Sequence, residues 1–436
     1  MNELNGNGHT ISNVAVEVCG HNSVGSAALF FCYTGGKLNV NNLNVYNVTV
    51  PAGTYSGVIS GYTQGDVTLE NVVVEKCNVK GVKKVGGLVG FVKASTSNFV
   101  ATNCQVLDTV VEATEKQAGT VFGYLAKPAT LNNCVVEGST AAAPKYCNNG
   151  LVSTDPAQAA LIVDGVAIRF AEKAETMTAI AKDATIDTNI ILASDVTGDA
   201  TLLQKADIDL VVDGDNHNYT GTIYIHGQAR HTGAETLAIQ NVNFVSNETI
   251  DFISSNTTVS TERYAHNVTI KDCTFTGSGN GDVVGARFRQ AFNIAIENCT
   301  ANALHSLMWI TGGVGVTVDG AVIKNSKNGV SFGTSDKVVV KNSKITAIGD
   351  YGYALRTDAS GAYSLKVSNS TLKADAPILM RKATAAASLA LEGNTLTSTD
   401  TYQIIVTASD YEAGKELTAA TGNVTITGGE GLNIFK

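Results

Sequence analysis

The side chains best suited to recognition chemistry are Arg287, Arg289, Trp309, Arg356 and Arg381. They recur at or near the ends of the short apolar segments ARFRQ (286–290), LMWIT (307–311), YALRT (353–357) and ILMRK (378–382). A guanidinium is a planar, permanently charged donor that matches carboxylate and sulfate, and an indole offers a face on which a sugar ring can stack. Brought side by side, the five residues form a groove for an acidic glycan. The competing arrangement places Trp309 in the core and leaves the arginines on a solvated face, paired with Asp251, Asp358 or Asp375.

Catalysis asks for more than a groove. Inverting glycoside hydrolysis needs two carboxylates several ångströms apart on one face, and Asp251, in the like segment IDFIS (250–254), is the only acid within this set of segments. An elimination reaction can use an arginine as base beside a bound cation, which makes Arg287 and Arg356 the first residues to test, but no acidic metal site is visible. His9, His217, His226 and His305 are isolated from one another in sequence and read as structural. Eight cysteines occur without a CxxC pair, so a zinc site has no support and no cofactor is indicated.

Four of the cysteines, Cys104, Cys134, Cys273 and Cys299, share one position in a recurring phrase of the form φ-x-φ-x-Asn-φ-x-φ, where φ is apolar or small. It reads LNVNNLNV (38–45), VTLENVVV (67–74), FVATNCQV (99–106), ATLNNCVV (129–136) and LIVDGVAI (161–168). It returns as LAIQNVNF (237–244), VTIKDCTF (268–275), IAIENCTA (294–301), VTVDGAVI (316–323), VVVKNSKI (338–345), LKVSNSTL (365–372) and LALEGNTL (389–396). The column residue falls every 29 to 32 residues in the first half and every 22 to 31 in the second. These periods belong to solenoids and arrays, and the two-residue alternation of apolar positions makes the repeating elements strands. Stacked in parallel about 4.8 Å apart, such coils place like residues on like. The column thiols are then buried and free, since parallel stacked side chains hold their β-carbons too far apart for a disulfide. A disulfide among Cys19, Cys32, Cys77 and Cys147 stays open. The Asn column follows from the tolerance of Asn for left-handed backbone and from amide-to-amide bonding between coils.

Residues 172–183 break the pattern. Met177, Ile180 and Ala181 lie on one face of a short amphipathic helix, expected to cap a second solenoid whose first coil contains NIILASDV (189–196). LNGNGHTI (4–11) is echoed by VDGDNHNYTGTI (212–223), as if two similar units were joined in tandem, with a boundary near 170: residues 1–170 and 171–436. The expected fold is all-β, two parallel β-helix units with a short helix between them, wound right-handed by the rule for parallel crossovers.

Composition agrees. Glycine reaches 43 copies and charged residues are only 16% of the 436, which suits short strands and tight turns rather than long helices. A net charge of -9 with no basic run argues against a nucleic-acid partner. No stretch is long and apolar enough to span a membrane as a helix, and the first residues carry no signal peptide. Met1 runs directly into what reads as the middle of a repeat, the start expected of a chain from which a leader and a first turn have been removed.

On these residues the chain resembles the right-handed parallel β-helix proteins of the pectin-lyase-like superfamily. SGVISGYT (56–63), GGLVGFVK (86–93) and AGTVFGYL (118–125) look like the GLUG repeat of bacterial surface proteins and adhesins. The second half is similar to β-helix regions of proteins exported by gut Bacteroidetes. The resemblance implies an extracellular or cell-surface location and a polysaccharide or host-glycan partner, but no particular activity, because the fold hosts lyases, hydrolases and adhesins alike. A pectin-degrading hydrolase of this fold carries paired aspartates and a Gly-His-Gly segment, and neither occurs here. The expected function is therefore a non-catalytic adhesin or glycan-binding module. A polysaccharide lyase or hydrolase is the runner-up, and a structural stalk of about twelve coils, roughly 60 Å if collinear, is the third reading.

Overall fold

The computed structural model describes residues 2–21, 24–93, 97–125, 129–142, 146–148, 160–227, 233–255, 264–279, 282–358, 361 and 363–436. Parallel pairing dominates, and strands from successive coils stack into long sheets. The chain forms two compact units, Met1–Phe170 and Ala171–Lys436.

In the second unit each full coil has three strands. The recurring phrase supplies the first two: in one coil His266–Lys271 and Thr274–Thr276, with the break at Asp272. The apolar segments that carry the candidate residues form the third, as in Val284–Arg289, Ser306–Thr311, Val330–Gly333, Tyr353–Asp358 and Ala376–Arg381. Inward positions stack in register: Ile190, Val212, Ile239, Ile270, Ile296, Val318, Val340, Val367 and Leu391 form one unbroken column down the first-strand sheet. A one-residue slip in any coil would turn its apolar residues outward, and burial of this column is what holds the register.

The corner between first and second strands explains the Asn column. Asn241, Asp272, Asn298, Asn342 and Asn369 all have φ between 50° and 54°, the left-handed region that Asn and Asp tolerate best. In the first unit the corner amides form a ladder: Asn71 donates to Asn42 (2.9 Å), Asn103 to Asn71 (3.2 Å) and Asn133 to Asn103 (2.8 Å). The residue after the corner is a short donor that turns back to the carbonyl two residues earlier. Cys273 reaches Lys271 O (3.2 Å), Cys299 reaches Glu297 O (3.3 Å), and Ser343 and Ser370 make the same bond at 2.8 and 2.9 Å. Cys and Ser alternate there because both are small and can satisfy that carbonyl. Cys104, Cys273 and Cys299 are buried free thiols, while Cys134 is free but only half-buried. Of the less regular cysteines, Cys19 and Cys32 form a disulfide with Cα atoms 6.1 Å apart. Cys77 is buried and free, and the Cys147 side chain lies outside the described residues.

The echo between LNGNGHTI and VDGDNHNYTGTI is a repeated turn. His9 and His217 donate their backbone N–H to Gly6 O and Gly214 O, both at 2.8 Å, and their own carbonyls receive Asn44 and Asn243 of the next coil, both at 3.1 Å. Glycine is required, since a Cβ on Gly6 would lie 2.5 Å from Asn42 O and one on Gly214 2.3 Å from Asn241 O. Glycines in the GLUG-like segments serve a similar close approach: a Cβ on Gly90 would meet Gly61 O of the preceding coil at 2.6 Å. The aromatics of those segments stack from coil to coil, Tyr33 on Tyr62 at 5.2 Å, Tyr62 on Phe91 at 5.3 Å and Phe91 on Tyr124 at 5.5 Å.

LIVDGVAI departs from the expected corner. Ala160–Val163 and Val166–Ala171 pair antiparallel around Asp164 (φ 48°) and Gly165 (φ 86°), a tight hairpin. Two successive residues at positive φ are what Asp-Gly favours in a two-residue hairpin turn, so the phrase folds back on itself instead of continuing the coil. The helix runs Ala174–Asp183 with Met177, Ile180 and Ala181 buried. Its Thr178 hydroxyl accepts the backbone N–H of Thr201 (2.9 Å), and Lys205 of the first coil donates to Ala184 O just past the helix end (2.7 Å). An otherwise unpaired strand-edge donor is thereby satisfied.

Candidate functional site

On the third-strand sheet of the second unit alternate residues face outward. Register places Ser254, Arg287, Trp309, Ser331, Arg356, Leu379 and Ile405 in one outward column, and Arg289, Thr311, Gly333, Asp358 and Arg381 in the next. Each step is one coil, about 4.8 Å. Leu379 and Ile405 are covered by Tyr402, Tyr411 and Leu417, so the C-terminal segment closes one end of the face. Along the stretch from Arg287 to Arg356, Arg287 and Trp309 are partly exposed, while Ser331 and Arg356 are buried.

Three of the five candidates meet. The guanidinium carbon of Arg287 lies 4.9 Å from the Trp309 ring centroid and that of Arg356 lies 5.5 Å from it. Trp309 is partly exposed, which excludes the arrangement that buries it in the core. The His305 ring stacks on the indole at 5.7 Å and 17°. Arg381 is one column away and faces Asp358 and Asp410 instead, and Arg289 is exposed at the edge of the group.

The arginines are largely satisfied by carboxylates. Arg287 Nε donates to Asp251 at 2.8–2.9 Å. Asp358 accepts Arg381 Nε at 2.5 Å and Arg356 Nη2 at 3.3 Å, and Arg381 Nη1 reaches Asp410 at 3.1 Å. Burial works to raise the Asp358 pKa, but the Arg381 hydrogen bond and the two guanidinium charges outweigh it and hold the carboxyl below the usual carboxylate range. Asp375 serves elsewhere, accepting Tyr351 N–H at 2.9 Å and the Thr399 hydroxyl. The pairing half of the competing arrangement is therefore what the molecule adopts, at Asp251 and Asp358. The groove carries little unmatched positive charge for an acidic ligand.

Burial depresses the His305 pKa most, with the charges of Lys327, Arg287 and Arg356 acting in the same direction and Asp282, 3.8 Å away, opposing them. Asp282 and Lys327 also line a cleft of about 510 Å³ with Leu304, Asn325, Ile348 and Asp350. A second cleft of about 760 Å³ lies beyond Arg287 and shares Asp251 with it. Asp199, Glu248, Tyr224 and several Ser and Thr hydroxyls line the rest. Of its carboxylates, Asp251 is on a strand, while Asp199 and Glu248 lie in turns of different coils and were not evident from the strand pattern. Among the described residues no group of three or more His, Cys, Asp or Glu side chains is arranged to hold a metal ion, and no helix is long and apolar enough to cross a membrane.

Residues 258–418 match the family model described as a right handed beta helix region. A stretch of 91 residues, 21% of this chain, is 35% identical to halomucin of Haloquadratum walsbyi (strain DSM 16790 / HBSQ001), of whose length it covers 1%. With the parallel stacking of the strands, the match makes the fold a right-handed parallel β-helix solenoid with one short helix among the described residues.

Proposed function

We propose that the protein is an extracellular β-helix that binds polysaccharide without cleaving it, through the third-strand face of its second unit. The observation that carries this reading is the partly exposed Trp309 indole flanked by Arg287 and Arg356, with a hydroxyl- and carboxylate-lined cleft next along the face. An aromatic plane takes the apolar face of a sugar ring, and guanidinium and carboxylate groups locked against each other present fixed donors and acceptors to its hydroxyls. The GLUG-like segments of the first unit fit a surface role. Trp309→Ala is expected to lower affinity for a bound polysaccharide at least tenfold in affinity electrophoresis, with the thermal unfolding midpoint unchanged. Equal binding by wild type and variant refutes the reading.

Hydrolysis is favoured by one feature, the presence of Asp199, Glu248 and Asp251 around a single cleft. Two of these carboxylates already have partners: Asp199 accepts the backbone N–H of Thr222 (2.8 Å) and Asp251 pairs with Arg287. Reducing-end and unsaturated-product assays on neutral and uronic-acid polymers separate this reading from binding alone.

A further inference from the structure

The sixth coil of the second unit breaks the bulk of the outward columns. Between Trp309 and Arg356 stands Ser331, and between Thr311 and Asp358 stands Gly333. Strands two coils apart are separated by about 10 Å, so two small residues leave a notch across the face. One wall is the indole and the other is the Arg356–Asp358 pair. Ser331 is 0% exposed and its hydroxyl has no hydrogen-bond partner among the described residues. A buried orphan hydroxyl is costly and rare in folded proteins. Arg356 follows it in the column, and its guanidinium lies 5.5 Å from the centroid of the Trp309 ring on the other side of the sixth coil. Arg356 is also the looser of the two arginines on Asp358, bonded at 3.3–3.4 Å where Arg381 is at 2.5 Å.

Resting on the glycan-binding reading, we infer that this notch is a subsite for one uncharged pyranose, with Arg356 as a movable cover and the Ser331 hydroxyl as its floor. The ring stacks on Trp309 as Arg356 swings off the indole about its Asp358 tether, and the exposed Ser331 hydroxyl gains the partner it lacks. The sugar is uncharged because Arg287, Arg356 and Arg381 already face Asp251, Asp358 and Asp410. A uronate would meet Asp358 beside Arg356, whose guanidinium that carboxylate already holds. Gly333 adds no bulk on the far side of the notch, and a Cβ there would meet nothing closer than 3.6 Å, so an added side chain starts without a clash and takes up the space.

Trp309 is the only tryptophan in the chain, so its emission reports on this site alone. The test titrates the full chain with soluble galactomannan, as the neutral probe, and with polygalacturonate, as the acidic one. Ser331→Ala and Gly333→Val are run alongside, with thermal melts to confirm folding. Galactomannan is expected to change Trp309 emission and acrylamide quenching with little dependence on salt, and each variant to weaken binding at least tenfold. Galactomannan binding that both folded variants retain overturns the subsite, as does salt-sensitive preference for polygalacturonate, and either leaves the glycan-binding reading standing. Absence of any response or retention with both polymers overturns the subsite and the glycan-binding reading together. Should Gly333→Val fail to fold, Ser331→Ala, which adds no bulk, decides the matter.

Discussion

Asp358 and Arg381 sit in register on neighbouring coils, Nε to Oδ1 at 2.5 Å, and the same carboxylate tethers Arg356, the cover of the notch. Only 15% of the Asp358 side chain is exposed. Removing its charge leaves Arg356 without a carboxylate and Arg381 with Asp410 alone, and breaking a buried pair costs about 3 kcal/mol or more. Asp358→Asn is expected to lower the urea midpoint of the second unit accordingly. Because the folded-state pKa is depressed, the carboxylate's contribution is fully present above its ordinary value of 3.8 and is lost as pH falls through the lower folded value. Wild type and Asp358→Asn should therefore converge in stability at strongly acidic pH, which urea titrations at a series of pH values will show.

Asn103 holds two jobs at once, φ of 53° and the middle rung of the amide ladder. Asn103→Gly keeps the backbone geometry and loses the rungs, at about 1 kcal/mol each at most. Asn103→Ala adds left-handed strain of roughly 1–2 kcal/mol. Chemical denaturation should rank stability as wild type, then glycine, then alanine. An alanine variant equal to the glycine variant would show that the corner conformation does not constrain the residue.

Much of the fold could be read because repetition exposes it. The adjacent columns that hold Asn103 and Cys273 are visible in sequence since every coil must meet the same corner, and so the left-handed turn and the buried thiols follow. LIVDGVAI carries the same alternation yet closes a hairpin, because Asp164-Gly165 supplies two positive-φ residues and local turn chemistry prevails over the pattern. At the site, the segments bearing Arg287, Trp309 and Arg356 were recognisable, but their partners were only half so. Asp358 lies one residue beyond YALRT, on the same face as Arg356, and extending that segment by one residue aligns it with Arg381. Asp199, Glu248 and the covering residues Tyr411 and Leu417 lie in turns of unequal length, where no period relates one coil to the next.

His305, with 12% of its side chain exposed, is held below its ordinary pKa of 6.5, chiefly by burial. The unfolded chain then takes up the proton first as pH falls. Its contribution to stability is complete above pH 6.5 and erodes on acidification from there. An imidazole NMR titration should give a midpoint below 6.5, and His305→Gln should flatten the loss of stability between neutral and mildly acidic pH. A midpoint at or above 6.5 contradicts the burial argument.

The stacked thiols should differ in reactivity. Cys134 is half-buried, and the hydrogen bond from Cys104 lowers its pKa to about 7, while the same contact and burial push Cys104 up. Maleimide labelling of the native protein at neutral pH, read by peptide mass spectrometry, should modify Cys134 well before Cys77, Cys104, Cys273 or Cys299. Denaturation should equalise them.

The helix Ala174–Asp183, laid over the first coil with Thr178 on the Thr201 amide, has a consequence for size. Interior windings depend only on their immediate neighbours, so insertion or deletion of one of them leaves the lid and its contacts as they were. Behind such a fixed front end the barrel can lengthen or shorten by whole turns. A lid loosened by Met177→Lys would bare a row of donors able to recruit a second molecule, and filaments growing from that end are the expected failure.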